Sequence, residues 1–146
     1  VKRSVQKIVS SNRAHCIYNS LAMEDMTQAK ATATNEEIAR AVVDEASEKL
    51  GSDIVLLDTE SISSFADFFV IINGETDRHL ESMAEDISRR SRKMGVHVTH
   101  REGSGKGGWV LIDFTGVVVH LFTRDQRDHY GLEQLWSRAN EIVRIQ

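Results

Sequence analysis

Two β-rich runs, W-V-L-I-D-F at residues 109–114 and V-V-V-H-L-F at 117–122, flank the dipeptide Thr115-Gly116. Runs of this kind separated by two residues, one of them Gly, predict a tight hairpin in which 114 faces 117, 113 faces 118, and so on out to 109 and 122. Strand side chains alternate sides, so this register sorts the hairpin into two faces. Val110, Ile112, Phe114, Val117, Val119 and Leu121 make one face wholly apolar, and it belongs against a core. Trp109, Leu111, Asp113, Val118, His120 and Phe122 make the other, where aromatics mix with one acid and one imidazole. A solvated face would carry mostly Thr, Lys, Glu and Ser. This one is expected to be covered by something else, a binding partner.

The rest of the chain supplies elements around that hairpin. Thr34 followed by Glu37 is a capping box, and Ile38, Ala39, Val42, Val43 and Ala46 then recur at helical spacing, with Leu50 closing the stripe and Gly51 as the left-handed cap. Residues 53–58 (D-I-V-L-L-D) read as a short buried strand, and residues 66–73 (A-D-F-F-V-I-I-N), apolar on both sides, as a central one. Gly74 ends it, and Thr76 caps a long helix with a stripe of Leu80, Met83, Ala84, Ile87 and Met94 that stops at Gly95; Arg89, Arg90, Arg92 and Lys93 lie on its solvated side. A third strand is expected over residues 97–102. Leu132, Leu135, Trp136, Ala139, Ile142 and Val143 follow at i, i+3, i+4, i+7, i+10 and i+11, which predicts one last long helix. The order is helix, strand, strand, helix, three strands, helix. It describes an α/β fold with a single mixed β-sheet of about five strands packed with helices, one sheet face of which is left incompletely covered.

Composition changes this picture in two places. At 146 residues, 40% hydrophobic and 27% charged, the chain has room for one ordinary domain, and no run approaches the apolar length of a membrane span. Cys16 is the only cysteine, which excludes an intramolecular disulfide and a cysteine-rich zinc site and fits a reducing compartment. Residues 1–33 lack sustained periodicity and read as a mobile tail ahead of a domain at 34–146; with Val1 first and Met23 and Met26 just before the organised part, they are expected to be an added or misassigned start, with an organelle transit segment as the alternative. Residues 1–30 carry five bases and two acids, a net +3, and the other 116 residues carry 13 bases and 20 acids, a net −7. So acidic a domain is a poor grip for a phosphate backbone and suits a basic protein partner.

The candidate chemistry is thin. Gly103-Ser104-Gly105-Lys106-Gly107-Gly108 lacks the G-x-x-x-x-G-K-[ST] spacing of a phosphate loop and leads into a strand, so it reads as a flexible strand connection. His97 and His100 point to opposite sides of their strand; His100 and His120 could share a face, with Asp113 diagonal to His120, yet three converging ligands are not identifiable, so no metal is expected. No Ser or Cys sits where His120 and Asp113 would activate it, and Asp53, Asp58, Asp67 and Asp113 show no pair of acids at i and i+2 on a strand for two-metal transfer. Arg124, Asp125, Arg127, Asp128, His129 and Tyr130 form a charged corner after the hairpin, and Trp136 belongs to the core beneath it.

Read together, A-D-F-F-V-I-I-N-G-E-T at 66–76, R-E-G at 101–103, W-V-L-I-D at 109–113, V-V-V-H-L-F at 117–122 and R-D-H-Y-G-L-E-Q-L-W at 127–136 strongly resemble the ribosomal silencing factor (Iojap) family, over about 110 residues from roughly Asn35 onward. The matching positions are Asp67, Gly74, Arg78, Glu102, Gly103, Trp109, Asp113, His120, Phe122, Arg127, Tyr130, Leu132, Glu133, Leu135 and Trp136; Thr76 stands where a Ser is more usual. The resemblance implies a nucleotidyltransferase-like topology without catalysis or cofactor. It also implies binding to the large ribosomal subunit through universal large-subunit ribosomal protein fourteen, which keeps the small subunit from joining and represses translation. Family members act in the cytoplasm, with organelle members as the alternative.

On this reading the partner-binding residues are Trp109, Asp113, His120 and Phe122 on the hairpin face, with Glu102, Arg127 and Tyr130 at its rim. The runner-up is a nucleotide-handling enzyme of the transferase fold. A third reading is a homodimer that hides the same face.

Overall fold

The computed structural model describes residues 32–146. The tail expected over residues 1–33, with Cys16, lies outside them except for its last two residues, and Ala33 already packs against the core. Helix α1 (Asn35–Glu48) starts where the capping box places it: Thr34 Oγ1 accepts the Glu37 N–H at 3.2 Å, and the Glu37 carboxylate accepts the Thr34 N–H at 2.8 Å. Its end differs from expectation. Leu50, not Gly51, takes the left-handed conformation (φ 63°) and stands 81% exposed, so it closes no apolar stripe.

Strands β1 (Ser52–Asp58) and β2 (Phe68–Asn73) follow, then α2 (Asp77–Lys93), capped by Thr76 Oγ1 accepting the His79 N–H at 3.1 Å. Strands β3 (His100–Ser104), β4 (Trp109–Asp113) and β5 (Val117–Phe122) complete the central run. The hairpin of β4 and β5 has the predicted register from Trp109 opposite Phe122 to Asp113 opposite Val118, with Thr115 (φ 76°) in its two-residue turn. His97 falls before β3, which starts three residues later than expected. The glycine-rich connection is ordered: residues Gly105–Gly107 form a 3-10 turn docked on α2, where the Gly105 N–H donates to Glu81 Oε1 at 2.6 Å.

The expected last long helix is absent. The chain instead forms α3 (Arg124–Tyr130) and the single turn α4 (Leu132–Leu135), separated by Gly131 in the left-handed conformation, and then a sixth strand, β6 (Asn140–Ile145). Ile142, Val143 and Ile145 are β-branched and lie in a strand that pairs with β1 through Val143 and Ile145, which outweighs a helical spacing that only Leu132 to Leu135 obey locally. The sheet therefore has six strands in the order β3-β4-β5-β2-β1-β6, with β2 parallel to β5 and every other pair antiparallel.

Each face of the sheet carries its own core. Under α1 and α2 lie Ile54, Leu56, Val70, Ile72, Val110, Ile112, Val119 and Leu121. On the opposite face Val55, Leu57, Phe69, Ile71, Leu111, Val118 and Phe122 pack against Leu132, with Trp109, Tyr130 and Trp136 over them. That second face is thus largely covered by the chain's own C-terminal segment, a correction to the expectation of an open face.

Two left-handed glycines in unlike surroundings separate backbone strain from collision. At Gly95 (φ 82°) an added Cβ meets nothing within 4 Å, whereas at Gly103 (φ 76°) it falls 2.1 Å from the Trp109 carbonyl oxygen. Gly95→Ala is expected to cost about 1–2 kcal/mol, the left-handed penalty alone. Gly103→Ala must also push β3 off β4, and urea denaturation is expected to show a loss above about 4 kcal/mol. Equal midpoints for the two variants would refute this account of the β3–β4 contact.

Candidate docking site

The face beneath Trp109 is organised around His120. Its ring is fully buried between strands, with Trp109 stacked at 5.9 Å, Phe122 at 5.9 Å and nearly coplanar in orientation (5°), and Phe69 meeting it edge-on at 5.6 Å. The Trp109 indole N–H donates to His120 Nδ1 at 3.3 Å. That bond leaves the neutral ring's proton on Nε2, the one buried side-chain polar atom without a partner among the described residues. Burial with no compensating acid pushes the His120 pKa down to about 3. His120 is neutral throughout the physiological range, so it serves as an aromatic spacer with one acceptor.

Tyr130 lies over this layer, 4.6 Å from the Trp109 ring and 5.9 Å from Phe122, while Trp136 covers Phe69 at 5.0 Å. Trp109, Tyr130 and Trp136 each remain partly exposed. Trp136, expected in the core, is therefore half in it. Beside them Glu102, Gly103, Trp109 and Leu111 line a mainly apolar groove of about 110 Å³. Glu102 stands directly opposite Leu111 across the β3–β4 pair, and its Oε1 accepts from His100 Nε2 at 2.8 Å.

Of the seven residues proposed from sequence, Trp109, Glu102 and Tyr130 therefore gather at one accessible patch. His120 and Phe122 lie directly beneath it at 0% exposure and cannot touch a partner without the layer opening. Asp113 is buried as well, and its carboxylate accepts the Thr115 N–H at 2.7 Å, which fastens the hairpin turn. Arg127 lies elsewhere, bound into a polar cleft with Asp53, Asn73 and Glu133.

Arg127 is a structural clasp. Its guanidinium donates through Nε and Nη2 to both Glu133 oxygens (3.1 and 2.6 Å), and through Nη1 to Asn73 Oδ1 (2.9 Å) and the Asp53 carbonyl. It thereby ties the ends of β1 and β2 to α4, holding in place the corner that carries Tyr130 and Trp136. Sequence reasoning missed Asp53 and Asn73 here, since 74 and 54 residues separate them from Arg127. No local signal marks such a contact. No group of three or more His, Cys, Asp or Glu able to hold a metal occurs among the described residues, and no described helix is long and apolar enough to cross a membrane.

What the fold and this face define is an α/β domain whose most distinctive surface is an aromatic patch laid over a buried histidine. The family model described as "Ribosomal silencing factor during starvation" matches residues 32–146, and the chain belongs to that family. It is 40% identical over 103 residues to the ribosomal silencing factor RsfS of Bacillus subtilis, covering 70% of this chain and 85% of that protein. The protein of the same name from Halalkalibacterium halodurans is 34% identical over 109 residues, covering 75% and 93%. The crystal structure of protein CV0518 from Chromobacterium violaceum superposes with a TM-score of 0.69 at 30% identity, covering 72% of this chain and 88% of that one.

Two measurements check the internal chemistry of the site. A buried His whose pKa falls to about 3 binds its proton in the unfolded chain first, so the protonation penalty of its burial is absent above pH 6.5 and stability is lost as pH falls from there toward 3. Wild type is expected to lose about 2 kcal/mol more than His120→Leu between pH 7 and pH 5, and parallel stability curves would remove His120 as the cause. Arg127→Ala leaves buried Asn73 without its donor and half-buried Glu133 without its ion pair, and is expected to cost about 1–3 kcal/mol in denaturant unfolding.

Proposed function

We propose that this protein is a regulatory factor, not a catalyst, that silences translation by binding the large ribosomal subunit through universal large-subunit ribosomal protein fourteen. Bound there, it keeps the small subunit from joining by occupying the space between them. The observation that carries this reading is the family match across residues 32–146. Two features of the domain support it. Residues 31–146 carry a net charge of −7, which complements a basic protein surface and opposes direct binding to RNA. The partly exposed Trp109–Tyr130 pair provides rigid amphipathic anchors of the type that dominate protein interfaces.

Burial decides which variants test the proposal. Truncating His120 and Phe122 together opens a cavity in the second core and tests folding instead of docking. Tyr130→Ala removes exposed ring surface and leaves the strands intact. Wild-type protein is expected to co-sediment with purified large subunits and to reduce the yield of joined ribosomes when small subunits are added. Tyr130→Ala is expected to weaken co-sedimentation about tenfold, the loss of an interface anchor worth over ~1 kcal/mol. Wild type that fails to sediment with large subunits, or that sediments and leaves joining unchanged, overturns the proposal at the corresponding step.

A further inference from the structure

The groove beside Trp109 has a chemistry more specific than that of an apolar patch. Its floor and walls are the Leu111 side chain, the Trp109 ring and the bare backbone of Gly103, where a Cβ would collide with the Trp109 carbonyl. A single ionisable group, Glu102, stands at its mouth, with its side chain 42% exposed. An apolar trough that ends at one carboxylate accepts a side chain of the same plan: an aliphatic stem carrying a cation. The Trp109 face adds the attraction of an aromatic quadrupole for that cation.

The hydrogen bonding of Glu102 favours one of the two cationic side chains. Its Oε1 already accepts from His100 Nε2 at 2.8 Å, while Oε2 has no hydrogen-bond partner among the described residues. A guanidinium fork on this carboxylate would share Oε1 with His100, whereas an ammonium is a point charge satisfied by Oε2 alone. We infer that this groove is the receptor for one lysine of the docked partner, its stem lying along Trp109 and Leu111 and its ammonium on Glu102 Oε2. The inference rests on the docking proposed above and deepens it, because it names the residue type that the partner must present.

Zero-length cross-linking reads that contact directly. A water-soluble carbodiimide added to wild-type protein on purified large subunits activates the Glu102 carboxylate. A lysine amine held against it displaces the activating group, which leaves as the urea, and the amide formed corresponds to net loss of water. Mass spectrometry is expected to find the Glu102 peptide joined to a lysine of a large-subunit protein. Glu102→Gln is expected to bind about fivefold more weakly with a flatter salt dependence, and Glu102→Lys over fiftyfold more weakly, with both variants unfolding in urea near the wild-type midpoint. Wild type that sediments with the subunits but gives no Glu102–lysine product overturns the lysine assignment. If Glu102→Gln also binds within twofold of wild type, the groove falls as a receptor while the docking proposal stands. Failure of wild type to sediment removes both.

Discussion

Burying both faces of a six-stranded sheet in little more than 110 residues is the constraint from which the rest of this structure follows. The two long helices, α1 and α2, lie over one face and enclose a core of branched aliphatic side chains. Nothing of comparable length remains for the other face. It is covered by bulk per residue instead of by helix: Trp109, Tyr130, Trp136 and Phe65 roof over Phe69, His120 and Phe122. Aromatic side chains remove the most surface from water for the fewest residues, so a short segment such as α3–α4 suffices where a third helix is missing. The aromatic content of the β4–β5 hairpin is therefore a structural necessity before it is anything else.

That economy explains two features that look functional in isolation. The buried imidazole of His120 fills an aromatic-sized position and gives the Trp109 indole N–H an acceptor, which fixes the orientation of a ring that is otherwise free to swing out. The unpartnered Nε2 is what this arrangement costs. Likewise Arg127 is buried because a roof made of two short helical pieces has little cohesion of its own. Its bonds to Glu133, Asn73 and the Asp53 carbonyl pin that roof to the strand ends. Asp53 itself sits at φ 45°, a conformation tolerable for Asp, with its carbonyl turned to the guanidinium.

How much of this could be read in advance follows from the range of each interaction. The hairpin register, the capping box at Thr34 and the helix begun at Thr76 depend on residues two to four apart, and the structure has each of them. The C-terminal segment depends on distant partners. Leu132 to Val143 fits a helical period as well as it fits a turn followed by a strand, and only the open edge of β1 selects the strand. Once that sixth strand is in place, the helix expected to leave one face bare does not exist, and the same aromatic residues become a roof. The error about the helix and the error about His120 and Phe122 are thus one error. Glu102, Trp109 and Tyr130 stayed in the candidate site because they lie at the margin of the roof, where the β3 side of the sheet outruns it.

The margin also explains why docking at this sheet would proceed by side-chain insertion and not by strand addition. Both edges are guarded. At β6 the register shifts between Leu56 and Leu57, which leaves Ile142 as an extra residue, and the bulge brings Glu141 and Arg144 together in a two-bonded pair at 2.6 and 3.0 Å. At β3, Arg101 is tied back to Glu81 and Glu85 on α2, and Gly103 takes a positive φ that breaks the line of an extended edge. Bulges and inward-held charges are the means by which sheets refuse a foreign strand. With both edges refused and one face under two helices, the uncovered margin of the aromatic face, from Tyr130 across Trp109 to Glu102, is the part of the sheet still open to a partner.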